Sequence, residues 1–138
     1  MSTRVVISAV TALLSAATVS AQEEALPQTV TELFEAYIAL PDTLVPVLKS
    51  AKDKQSAAAA APGLLEELKK LYGVREALQK VSSLSPRQSE LVREKYEKPM
   101  RERWGAVYAE MFRLQKNRCY GSEEFSKMYK IMCLMLNK

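Results

Sequence analysis

Residues 53–81 decide the fold class, and they read DKQSAAAAAPGLLEELKKLYGVREALQKV. Their apolar side chains recur every three or four positions, the spacing of one face of an α-helix; they are Leu64, Leu68, Leu71, Val74, Leu78 and Val81. Asp53 can cap this helix, and the five alanines at 57–61 favour helix and allow a neighbouring helix to approach closely. Pro62 should kink or restart the helix without ending it.

A second long helix is predicted over residues 85–116. Ser85 is a suitable N-cap, followed by proline at the first helical position and by glutamine three residues after the cap. An apolar stripe continues in register across Pro99, so this proline should bend the helix rather than end it; the stripe is Val92, Tyr96, Met100, Trp104, Val107, Met111 and Leu114. We therefore predict an all-α bundle whose spine is an antiparallel hairpin of helices 53–81 and 85–116.

Shorter helices are predicted on both sides of the hairpin. Thr29 and Glu32 fit a capping box at the start of a helix that Pro41 should end, and a second helix would then run to about Lys52. Ser122 can cap a last helix at the other end of the chain. No segment alternates between polar and apolar residues as a half-buried strand does, so we expect no sheet.

Residues 1–21, MSTRVVISAVTALLSAATVSA, have the features of a signal peptide. Arg4 precedes an uncharged run from Val5 to Val19, and small residues precede a cleavage site after Ala21. The run is shorter than the roughly 20 residues needed to span a bilayer, which argues against a permanent anchor. We expect an exported protein, periplasmic or extracellular, with the signal either cleaved or retained.

Composition predicts one domain after the signal. The chain has 138 residues, of which 48% are apolar and 26% charged, and its net charge is +4; these values exclude an intrinsically disordered chain. Residues 22–28 are polar and form a predicted disordered lead-in, and residues 29–138 form a single helical domain. No further segment is apolar enough to be a membrane span.

Part of the predicted hairpin resembles a group of small secreted helical bacterial proteins of unknown role. The resemblance lies in Asp53-x-x-Ser56-Ala57 followed by Ala59-Ala60-Ala61-Pro62, then in a leucine-rich helix and a charged helix with Lys95-Tyr96-Glu97. It covers about residues 40–115. The group has no known active site, so the resemblance implies only the helical fold and export.

The two cysteines, Cys119 and Cys133, leave three states open: an internal disulfide, two free thiols or an intermolecular bridge. If the last helix begins at Ser122, Cys133 lies about 16 Å along it. An internal bridge therefore requires the loop at 117–121 to fold back or the helix to begin late. The spacing is not that of a redox-active Cys-x-x-Cys pair.

Catalysis is not predicted, because the chain has no histidine and no nucleophile or phosphate-binding motif. We predict no catalytic residues, no cofactor and no metal site. Four sulfur-containing side chains lie on the last helix: Met128, Met132, Cys133 and Met135. A minor alternative is that they bind Cu(I). The simpler interpretation is that they fill the core. The basic residues at 87–103 alternate with glutamates, so we expect a solvated helix face and no nucleic-acid partner.

Two non-catalytic functions remain. The protein is either an interaction module that binds another protein through a helical face, or a structural protein that assembles with itself. In the second case, helices 53–81 and 85–116 would supply a coiled-coil-like seam between chains. The six consecutive apolar residues at 131–136 surround the last helix, so one packing face cannot bury them all. We therefore predict an exposed interaction patch that includes Ile131, Leu134 and Met135.

Overall fold

The computed structural model describes residues 25–81 and 83–137, and this part of the chain is all-α. The predicted fold class is thereby confirmed. Four helices are present in the described residues, and a short turn joins the last two: α1 (Gln28–Ser50), α2 (Lys54–Gln79), α3 (Pro86–Lys116), the turn Arg118–Gly121, and α4 (Glu123–Leu136). The predicted signal peptide at 1–21 lies outside the described residues, as do residues 22–24 of the predicted lead-in at 22–28. The prediction of disorder is wrong for Gln28, which is the first residue of α1.

The central helix is α1, which packs against both α2 and α3. It runs antiparallel to α2, and the Thr43 hydroxyl of α1 donates a hydrogen bond to Glu67 of α2 at 2.8 Å. The predicted hairpin of 53–81 against 85–116 is wrong in this respect, because α2 and α3 make no close backbone contact with each other in the described residues. The sequence patterns predicted the positions of α2 and α3 in the chain, but they did not show that α1 lies between the two helices.

Helices α1 and α3 run parallel, and a series of contacts marks their register. Phe34 stacks on Tyr96 at a centroid distance of 5.4 Å, and Arg103 pairs with Asp42 at 2.8 Å. Farther along, Arg113 donates to the carbonyls of Leu48 and Ala51 at the end of α1, at 2.8 Å each, and so satisfies acceptors that a helix terminus leaves free.

Pro41 does not end a helix, contrary to the prediction, because α1 continues through both Pro41 and Pro46. A proline inside a helix leaves the carbonyl four residues earlier without its N–H donor. For Pro41 this carbonyl belongs to Tyr37, and it accepts the indole N–H of Trp104 at 3.1 Å. The predicted capping box of Thr29 with Glu32 is also wrong, since α1 begins at Gln28 without a side-chain cap.

The predicted starts of α2 and α3 are confirmed by reciprocal capping. Asp53 accepts from the Ser56 backbone N–H at 2.7 Å, and the Ser56 hydroxyl accepts from the Asp53 N–H at 3.0 Å. Ser85 and Gln88 make the same exchange at the start of α3, at 3.1 and 2.9 Å. Pro62 and Pro99 lie inside continuous helices.

One core joins all four helices. It contains the buried leucines of the α2 stripe together with residues from α1, α3 and α4. Its most completely buried side chains are Leu44, Leu48, Leu64, Leu71, Val107, Leu114, Phe125 and Met132. The alanines at 57 and 61 are also buried, which agrees with the close helix approach that small side chains permit.

The connection between α3 and α4 is a left-handed turn. Arg118, Cys119, Tyr120 and Gly121 have φ angles of 52°, 53°, 56° and 78°. Glycine adopts this region freely, whereas each of the three other residues is there at a cost of roughly 1–2 kcal/mol. The turn brings Cys119 into the core and places the Tyr120 hydroxyl 2.8 Å from Arg113.

Candidate interaction surface

A groove of about 220 Å³ lies between the C-terminal halves of α2 and α4. All three residues of the predicted interaction patch line it: Ile131 is 43% exposed, Leu134 is 66% exposed and Met135 is half-buried. The opposite wall consists of α2 side chains, with an apolar ring next to polar groups; they are Tyr72, Arg75, Glu76 and Gln79.

The geometry of α4 explains why this apolar surface stays open. Phe125 and Met132 point into the core and are fully buried. Leu134 is nine residues from Phe125, which places it on the opposite side of a helix with 3.6 residues per turn. A single neighbouring helix, α2, packs closely on α4, so the outward side of α4 has no cover within the described residues.

Tyr72 was missed as a site residue, although it is 60% exposed and forms the α2 wall of the groove. A sequence signal was present, because Leu65 and Tyr72 are seven residues apart on one helix face and lie outside the buried stripe. Leu65 is 39% exposed on the same helix but does not line the groove.

Arg75 is held at the polar edge of the groove by the side chain of Tyr37. Burial is the main cause that raises the pKa of Tyr37, and the neighbouring Arg75 opposes this rise. Glu76 makes an ion pair with Lys80 at 3.4 Å. The groove therefore combines apolar walls with a polar edge whose charged groups already have partners within the chain.

A pair of exposed aromatic residues lies on α3, where Tyr108 is 51% and Phe112 is 70% exposed. These two residues are four apart, so they lie on one face of the helix. Sequence reasoning missed them because they flank the buried stripe without belonging to it. They do not line the α2–α4 groove.

Both cysteines are free thiols in the structure. Cys119 is buried and Cys133 is half-buried, and both thiols act electrostatically on the Tyr129 hydroxyl. The loop does fold back through the left-handed turn, which is the condition that an internal bridge requires. The bridged, free and intermolecular states remain predictions, and intact-mass measurement with and without thiol alkylation distinguishes them.

The methionines proposed for Cu(I) binding are part of the core packing. Met132 is fully buried, and Met128 and Met135 pack against the core from the same helix. Tyr129 donates to the Met111 carbonyl of α3 at 3.0 Å, which further fixes this side of α4. Within 25–81 and 83–137, no group of three or more cysteine, aspartate or glutamate side chains is arranged to hold a metal.

The charged face of α3 is extensively paired. Arg101 pairs with Glu97 at 2.7 Å, and Lys98 lies 4.0 Å from Glu102. Arg87 pairs with Glu90 at 3.0 Å. The interleaved glutamates thus neutralise much of the basic stretch at 87–103.

Comparison with protein-family models, curated proteins and solved structures found no match for this chain. The resemblance to small secreted helical bacterial proteins therefore stays a prediction. None of the helices in the described part of the chain has the length and apolar character that crossing a bilayer requires.

Proposed function

We propose that this protein is an exported, non-catalytic interaction module that binds another protein through the α2–α4 groove. The observation that carries the proposal is that the exposed side chains of Ile131, Leu134 and Tyr72 line one groove. Large apolar side chains that cluster at the surface, with polar groups at the edge, are typical of protein-binding sites.

The occupant that fits this groove is one face of an amphipathic helix. The walls are the sides of two helices, and a volume of about 220 Å³ has room for one or two large apolar side chains. Helices that dock between two others place anchors at positions three or four apart. Flexible Met135 can adjust its shape to such anchors.

Self-assembly through a coiled-coil-like seam has less support. The seam would need the apolar stripes of helices 53–81 and 85–116 to face a second chain. Within one chain, Leu64, Leu68 and Leu71 of α2 are already buried, as are Trp104 and Val107 of α3. These side chains are therefore not free to form the seam.

The first test is Leu134→Glu, with Leu65→Glu as the matched control on α2 outside the groove. Both sites are exposed, so each variant should change the free energy of unfolding by less than about 0.5–1 kcal/mol. A partner purified on the wild-type protein should bind Leu65→Glu with unchanged affinity. Its affinity for Leu134→Glu should fall at least tenfold, because a buried unpaired charge is costly.

Light scattering gives the deciding outcomes. A monomer at all concentrations that binds the purified partner one to one supports the module. If the wild-type protein forms a concentration-dependent dimer and Leu134→Glu is monomeric, self-assembly rather than the interaction module would be supported. Loss of the fold in Leu134→Glu would show that residue 134 is part of the core and would refute the groove.

Export has its own test. N-terminal sequencing and intact mass of the protein recovered outside the cytoplasm should show a chain that begins at Gln22 if the signal is cleaved. Retention of the full-length protein in the cytoplasm would contradict export without affecting the groove.

A further inference from the structure

One end of the bundle gathers most of the unneutralised positive charge. The end of α1, the start of α2, the end of α3 and the start of α4 all meet there, because Arg113 contacts Leu48, Ala51 and Tyr120 at once. We call residues 49–54 and 113–130 the basic end. None of these residues lines the α2–α4 groove, so the two features are distinct.

The charge of the molecule is strongly polarised. The basic end has eight basic and three acidic residues, a net charge of +5. The remaining described residues have ten basic and eleven acidic side chains, so their charges cancel almost completely. Nearly all of the net positive charge of the described residues is therefore concentrated on one surface.

Ion pairing also distinguishes the two regions. Arg113 pairs with Glu110 at 2.7 Å. It is the only one of the eight basic residues of the basic end that forms an ion pair within the described part of the chain. The other seven are all exposed; they are Lys49, Lys52, Lys54, Lys116, Arg118, Lys127 and Lys130. Asp53 is engaged in capping α2 and does not pair with any of them.

The shape of the basic end suits an extended anionic surface better than a small ligand. Two wide hollows of about 490 and 560 Å³ lie there, the first beside Arg118, Lys127 and Lys130 and the second beside Lys49 and Lys52. Six of the seven free cations are lysines, which attract anions as mobile point charges and do not impose the fixed geometry of an arginine fork. They project from three separate segments of the chain instead of converging on one point.

We propose that the basic end docks on a membrane surface rich in anionic phospholipid headgroups. Several lysines and arginines on one face bind such a surface through the summed attraction of its phosphates, with about a fivefold gain in partition coefficient for each basic residue near the surface. The protein binds peripherally, and none of the helices α1 to α4 enters the bilayer.

The test compares two triple variants of the full chain. Lys52→Gln/Lys127→Gln/Lys130→Gln removes three charges from the basic end, and Arg93→Gln/Lys95→Gln/Lys98→Gln removes three exposed charges from α3. Co-sedimentation uses vesicles of phosphatidylcholine alone and of phosphatidylcholine with roughly one-third phosphatidylglycerol. Circular dichroism verifies that both variants keep the helical fold.

Wild-type protein should bind the anionic vesicles and not the neutral ones. Binding should fall about a hundredfold in the basic-end variant and much less in the α3 variant. It should disappear near 1 M salt, where the Debye length is about 3 Å. The proposal would be overturned if the protein bound neutral and anionic vesicles equally, or if both triple variants lost the same amount of binding. It would also be overturned if the protein bound soluble polyglutamate but not anionic vesicles, which would indicate an acidic protein as the partner.

Discussion

The indole N–H of Trp104 donates to the backbone carbonyl of Tyr37, the oxygen that Pro41 leaves without a helical donor. The two aromatic rings also stack, with centroids 4.8 Å apart. A side chain from the neighbouring helix therefore compensates for the hydrogen bond that α1 loses at Pro41.

Trp104→Phe should lower the free energy of unfolding by about 2–3 kcal/mol, because it leaves a partly buried carbonyl unpaired and removes packed atoms. Pro41→Ala restores an N–H to residue 41, so it should recover part of this loss in the Trp104→Phe background. Urea unfolding of the two single variants and the double variant should give a coupling of about 1 kcal/mol. Additive effects would show that the indole bond does not compensate for the proline.

The left-handed turn predicts a stabilising substitution. Arg118 is exposed and has a φ angle of 52°, so Arg118→Gly should raise the free energy of unfolding by about 1 kcal/mol. Gln115→Gly, in the last turn of α3, is the control and should lower it by a similar amount. Thermal and urea unfolding measure both changes, and destabilisation by Arg118→Gly would argue against this turn geometry.

Alkaline pH should weaken the fold. Burial raises the pKa of the Cys119 thiol and of the Tyr129 hydroxyl above their ordinary values of 9.0 and 10.0, and the Cys133 thiol adds to both increases. The folded protein thus keeps these protons to a higher pH than the unfolded chain does. Their contribution to stability is complete below the ordinary values and is lost as pH rises through the folded-state values.

Urea unfolding between about pH 7 and pH 11 measures this decline. Tyr129→Phe should make the decline shallower, since it removes one of the groups whose pKa burial raises. Tyr72→Phe, at an exposed position, is the matched control and should leave the slope unchanged. A stability that stays constant to pH 11 in the wild-type protein would contradict the prediction.

The contact between α1 and α2 includes a buried carboxylate. Glu67 is only 6% exposed, accepts from Thr43 at 2.8 Å and pairs with Lys70 at 3.1 Å. Thr43→Val removes one of its donors and should cost about 1–2 kcal/mol. Thr43→Ser keeps the hydroxyl and should cost less than about 1 kcal/mol. Equal losses in the two variants would assign the effect to packing rather than to the hydrogen bond.

Local sequence signals predicted the helices more reliably than their arrangement. Asp53, Ser85 and the leucine stripe of α2 are short-range features, and each acts as predicted. Pro41 was misjudged because its effect depends on Trp104, which is 63 positions away in the chain. The arrangement of α1 between α2 and α3 likewise depends on distant contacts that no local period reveals.

For the candidate surfaces, too, the sequence predicted what depends on neighbouring residues and missed what depends on distant contacts. Ile131, Leu134 and Met135 stood out because six consecutive apolar residues cannot all face one core. Tyr72 became a wall of the groove only when α4 was packed beside α2. The basic end could not be recognised from any single segment, since its lysines come from parts of the chain that only the bundle brings together.

The position of α1 in the bundle also has a consequence for the order of folding. Its polar contacts with α3 join residues 61 to 67 positions apart, whereas Thr43 and Glu67 are separated by 24. Short loops close faster than long ones. We therefore expect α1 and α2 to associate first during synthesis, with Tyr37 left exposed until α3 emerges. Pulse-labelling hydrogen exchange should show early protection in α1 and α2, and simultaneous protection of all helices would contradict this sequence of events.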